Sequence, residues 1–147
     1  METKINFNSQ VCTSKIQSER LLALGLKKET ADMCRYKDSD GYWMTGLVEE
    51  TEQENIEYYD LPAWSLHRLI ELCPISIRHL GYHYSLIYDI HRDWVVYMLY
   101  ANGNNKPYNQ HLRGFQNCNR YDAFINCIEW LIKEGYFNKE YLNEHKD

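Results

Sequence analysis

Between residues 82 and 100 the side chains fall into two runs whose period a helix cannot use. Tyr82, Tyr84, Leu86 and Tyr88 alternate with His83, Ser85 and Ile87, and Trp94, Val96 and Met98 then alternate with Val95, Tyr97 and Leu99. A repeat of two in β-branched and aromatic residues is the signature of a strand, whose successive side chains point to opposite faces. Asp89, Ile90, His91, Arg92 and Asp93 lie between the runs, a length suited to a hairpin connection. An antiparallel hairpin is therefore expected at about 82–100. Its second run is apolar on both faces, so it is expected to be an inner strand covered on both sides.

A lone hairpin is marginal in water and has to bury its apolar face against something else. Three segments carry helical signals. Ser14 and Gln17 stand at capping-box spacing, and Gly25 follows Leu22 and Leu24 where a left-handed residue ends a helix. Pro62 is tolerated in a first turn, Asp60 or Ser65 can cap, and Leu66, Leu69, Ile70 and Cys73 share one face. From Asp122, Phe124, Cys127, Ile128, Leu131 and Ile132 recur at three and four, leaving Asp122, Asn126, Glu129 and Lys133 as a narrow polar stripe before Gly135. The expected fold class is α+β: a small antiparallel sheet around the hairpin at about 82–100, packed by helices at about 14–24, 62–73 and 121–134, in a single domain over 1–147. Residues 41–48 read as a further strand, and Thr30 to Met33 as a second short turn. Residues 49–57 read as a solvated loop, and 102–119, rich in turn residues and without a period, as a long one.

Charge narrows the partners. The net charge is −5 and the pI about 5.7, which argues against an extended nucleic-acid surface. The distribution is uneven: between Asp38 and Asp60 every charged residue is acidic, whereas between Ala101 and Tyr121 the charged residues are Lys106, Arg113 and Arg120. Five cysteines, odd in number and without a C-x-x-C pair, read as reduced thiols. The first residues lack an apolar signal-peptide core and no segment approaches the length of a membrane span, so a cytoplasmic protein without membrane contact is expected.

Few residues advertise chemistry. His91, Arg92 and Asp93 spell the tripeptide of a kinase catalytic loop, but Met98 stands where that motif needs Asn, and the glycine-rich loop and Asp-Phe-Gly are absent. They read instead as the polar bend of the hairpin. His79 and His83 have metal-like spacing only on a helix, and Gly81 interrupts them. Cys73 and Cys127 lie on apolar helix faces, where burial is the usual fate. No catalytic residue, metal ligand or cofactor is assigned. The best binding candidate is the basic segment 102–120, where Lys106, His111, Arg113 and Arg120 accompany Tyr108 and Phe115, because cations beside aromatic rings can hold a phosphate or nucleotide.

Three stretches stand in order along the chain: Ser-Glu-Arg-Leu-Leu-Ala-Leu-Gly-Leu with Thr-Ala-Asp-Met in 13–33, Leu-Pro-Ala-Trp-Ser-Leu in 60–74, and Trp-Leu-Ile-Lys-Glu-Gly-Tyr in 122–137. In this order they resemble an uncharacterised family of small proteins from gut-anaerobe genomes and their phage-like or mobile elements. The resemblance covers about a third of the chain and brings no activity with it; it implies an intracellular accessory protein of a mobile element. The expected function is a non-enzymatic interaction or regulatory protein that contacts a partner protein or itself. The alternative is a small anionic-ligand or nucleotide-binding protein using 102–120, and an enzyme of unidentified class is third.

Overall fold

A computed structural model describes residues 9–48, 59–99 and 110–144. Among them are three α-helices and seven strands in two antiparallel sheets: α1 (Lys15–Ala23), β1 (Met33–Lys37), β2 (Trp43–Leu47), β3 (Tyr59–Ala63), α2 (Leu66–Leu72), β4 (Ser76–His79), β5 (Tyr82–Asp89), β6 (Trp94–Leu99), β7 (Gln110–Gln116) and α3 (Arg120–Glu134). The α+β class is as expected.

Local chemistry sets the helix ends. In α1 the Ser14 hydroxyl accepts from the Gln17 amide and the Gln17 side chain accepts from the Ser14 amide, a complete capping box. The chain leaves α1 through Gly25 at φ 97°, with Gly25 N–H donating to Leu22 and Leu26 N–H to Leu21. This Schellman exit drives Leu26 into the core, fully buried. The α3 helix ends in the same way at Gly135, whose N–H donates to Ile132 while Tyr136 N–H donates to Leu131. Asn119, rather than Asp122, caps its start, by accepting from the Asp122 amide.

The larger sheet has the order β4-β5-β6-β7, so the expected hairpin is β5 and β6, and β6 is an inner strand. Tyr84, Val95, Tyr97 and Phe115 are buried in one core with Phe124, Ile125, Ile128 and Leu131 of α3. Tyr97 is fully buried and its hydroxyl donates to the Pro74 carbonyl at 2.8 Å, which satisfies the polar tip of a large apolar ring.

The smaller sheet, order β2-β1-β3, was only partly expected. The second short turn expected at Thr30 to Met33 falls earlier: a single 3-10 turn at Lys28–Thr30 gives way to β1. Likewise Pro62 lies in β3 instead of in a helix, and α2 starts later behind Ser65, whose hydroxyl accepts from the Arg68 amide. Among the described residues β3 pairs only with β1, so the missing N–H of Pro62 can face away from the ladder. Trp64 anchors the junction. Its ring is fully buried, and its indole N–H donates to the Thr30 hydroxyl at 2.9 Å.

Segment 49–57, expected to be a solvated loop, lies outside the described residues, as does 101–109. The second half of the expected long loop is not a loop: residues 110–116 form β7 and pair with β6.

Candidate functional site

Of the six residues singled out between 102 and 120, Lys106 and Tyr108 lie outside the described residues. The other four do not form one site. Between Tyr97 and Met98 the register of β6 on β7 slips: Tyr97 pairs with Arg113 but Met98 with His111, so Leu112 is an extra residue in the ladder. Such a bulge reverses which face the following side chains occupy. His111 accordingly lies against the indole of Trp94, ring centroids 5.8 Å apart, while Arg113 and Phe115 share the opposite face, the one packed by α3. Arg120, in the first turn of α3, is held by Asp93 at 3.1 Å.

That contact also resolves the kinase-like tripeptide. His91 N–H donates to the Asp89 carboxylate, Asp93 adopts φ 46°, and its carboxylate faces Arg120. The three residues are the bend between β5 and β6.

Arg113 and Phe115 meet α3 in a groove of about 310 Å³ that is also lined by Asn126, Glu129, Trp130 and Lys133. The Arg113 guanidinium sits 5.4 Å from the Phe115 ring centroid, a cation–π distance. Trp130 is wedged among Phe115 at 6.0 Å, Tyr97 at 6.1 Å and Tyr136 at 5.5 Å. From α1, Arg20 donates to Asn126 at 2.7 Å and forms an ion pair with Glu129. The carboxylate in the groove is thereby matched. Arg113 and Lys133 have no carboxylate partner among the described residues. Asn126, Glu129 and Lys133, three of the four residues of the narrow polar stripe expected on this helix, line the groove opposite β7.

A second cleft, about 440 Å³, places Lys27 and Arg68 among Glu29, Glu71 and Glu140. Cations and carboxylates are interleaved there, and no net field of one sign results.

The other ionisable side chains are dispersed. His67 pairs with Glu71 at 2.9 Å on the surface of α2, and His79 Nδ1 shares a hydrogen bond of 2.7 Å with the Tyr136 hydroxyl. His79 and His83 belong to different strands: β4 pairs His79 with Tyr82 and Arg78 with His83, so the two histidines occupy adjacent rungs and opposite faces. Among the described residues no three His, Cys, Asp or Glu side chains are grouped to hold a metal ion. Four of the five cysteines, Cys12, Cys34, Cys73 and Cys127, are buried and Cys118 is exposed. A hydrogen bond with Cys73, together with burial, raises the pKa of the Cys127 thiol well above its ordinary value, and burial raises that of Cys12. Both are protonated and poor nucleophiles near neutrality.

Large apolar side chains are also exposed at the β4–β5 turn, Leu80 and Tyr82, and in succession at the tip of the β1–β2 hairpin. Tyr42 is 70% exposed, Trp43 48% and Met44 43%. The Lys37–Trp43 rung closes the β1–β2 ladder next to the turn. The Lys37 ammonium is 5.2 Å from the Trp43 ring.

No family model, curated protein or solved structure matches the chain. Among the described residues no helix is long and apolar enough to cross a membrane.

Proposed function

We propose that the protein is a non-enzymatic accessory module that contacts another protein chain, its own copy included, through the tip of the β1–β2 hairpin. The observation that carries this reading is the run Tyr42-Trp43-Met44 beside the hairpin turn, three large side chains exposed in succession over the two faces of the ribbon. Exposed apolar clusters mark interaction surfaces more often than scattered apolar residues do, and Trp, Tyr and Met are enriched at interface centres. Asp38 and Asp40 flank the cluster and supply the polar rim of such a contact. The cytoplasmic, mobile-element setting implied by the sequence resemblance belongs to the same proposal.

The alternative, an anionic ligand held by 102–120, loses support as a loop site because His111 and Arg120 are engaged elsewhere. Arg113 and Phe115 remain, in the groove against α3.

Variants Trp43→Asp and Met44→Asp test the interaction reading. Both side chains are about half exposed in β2, where aspartate is the weaker strand former, so each variant should still fold with a loss of about 1 kcal/mol. If the partner is a second copy, sedimentation equilibrium at protein concentrations on the order of 100 µM shows a mass above the monomer that both variants abolish. A monomeric wild type, or variants that associate as the wild type does, removes self-association from the proposal.

A further inference from the structure

We propose that the groove between β7 and α3 binds a small ligand made of a planar aromatic ring bearing an anionic group, of which a nucleoside monophosphate is a representative. This site is separate from the hairpin contact, and either can fail without the other.

Three features of the groove converge on that chemistry. The first is its fixed aromatic wall. Trp130 is held by Phe115, Tyr97 and Tyr136, with ring centroids 5.5–6.1 Å away, so a ring stacking on the indole would meet a surface whose ordering is already complete. The second is charge. Arg20, Arg113 and Lys133 surround one carboxylate, Glu129, and Arg20 is already paired with it. Two cations are left to meet an anion. The Arg113 guanidinium rests against the Phe115 ring, which engages its π face and leaves its N–H edge able to donate to an oxyanion. The third is size. At about 310 Å³ the groove lies at the lower end of small-molecule sites, and two available cations on a chain of net charge −5 suit one anionic group better than a phosphate polymer.

Asn126 adds a directional element. Its side-chain oxygen accepts from Arg20 at 2.7 Å, which fixes the amide and leaves its NH₂ group as a donor at the groove.

The test uses the whole chain, labelled with ¹⁵N at the tryptophan indoles, and follows the Trp130 resonance with heat measured in parallel. AMP and phenyl phosphate are the probes carrying both ring and anion; adenosine carries only the ring, and ribose 5-phosphate only the anion. At least one of the first two should shift the Trp130 indole saturably, with a Kd tighter than about 1 mM, and adenosine and ribose 5-phosphate should each bind at least about tenfold more weakly. Arg113→Gln and Lys133→Gln, both at exposed side chains, should each weaken binding at least about threefold, with the loss diminishing as salt is raised. If neither AMP nor phenyl phosphate moves Trp130, the site is refuted. Equal binding of ribose 5-phosphate removes the ring from the ligand class, equal binding of adenosine removes the anion, and unchanged affinity in Arg113→Gln and Lys133→Gln overturns the role of the two cations.

Discussion

Gly114 in β7 is where the larger sheet can be tested most sharply. A Cβ built on this glycine would lie 2.3 Å from Nε1 of Trp94, 2.9 Å from Cε2 and 3.2 Å from Cζ2. The indole thus lies directly over the glycine, on the face opposite the groove, and also packs edge-on against His111 at 5.8 Å. Gly114→Ala forces that indole to move. Overpacking of this kind costs about 1–3 kcal/mol, whereas alanine in a strand interior otherwise gains roughly 0.5–1 kcal/mol over glycine. A net destabilisation of about 1–2 kcal/mol follows, which lowers Tm by about 2–8 °C for a chain of this size. The control is the same change in a Trp94→Ala background. With the indole gone, Gly114→Ala should become neutral or stabilising, a coupling of at least about 1 kcal/mol by double-mutant cycle in urea melts. Equal destabilisation in both backgrounds would show that the indole does not cover Gly114, and would refute the packing of this face.

Thr30→Val leaves the buried Trp64 indole N–H without its acceptor and should cost about 1–3 kcal/mol in chemical denaturation, while Thr30→Ser, which keeps the hydroxyl, should cost markedly less. Ellman's reagent should modify Cys118 alone in the folded protein, and Cys12, Cys34, Cys73 and Cys127 only after denaturant is added. Burial raises the pKa of Tyr97 and of Tyr121 above the ordinary 10.0. A raised folded-state pKa favours the protonated fold, so this contribution is fully present below about pH 10 and is lost as pH rises above it. Absorbance at 295 nm should therefore show exposed tyrosines titrating first and these two only together with alkaline unfolding; titration of all thirteen in one transition, with the fold intact, would contradict their burial.

Elements specified by neighbouring residues were legible in the sequence. The capping box at Ser14 and Gln17, the glycine exits at Gly25 and Gly135, and the alternation on either side of 89–93 all act over a few residues, and each predicted its element. Elements specified by distant partners were not. The β1 strand is a single short run beside a helix-like Thr-Ala-Asp-Met, β4 has four residues, and β3 contains Pro62. Gly114 and the surrounding polar residues gave β7 the look of a loop, yet the glycine is there because Trp94, twenty residues earlier, lies on it. The candidate site divided for a similar reason. Nothing local in Gln110-His-Leu-Arg-Gly announces the bulge at Leu112 that sends His111 to one face and Arg113 to the other. Trp130 and Lys133 did leave a trace, as a polar stripe interrupted by a large aromatic residue, but which surface that stripe faces depends on the pairing of β7.

The hairpin tip is tested most directly by a photo-crosslinker in cells that natively carry the protein, with benzoylphenylalanine replacing Tyr42 in one strain and Ile16 in another. Ile16, on α1, is 78% exposed and Tyr42 70%, so accessibility alone does not separate them. The account predicts a discrete adduct with one other chain from position 42, lost when Trp43→Asp is added, and no such adduct from position 16. Irradiation that yields no adduct from position 42, or the same adducts from both positions, would contradict it.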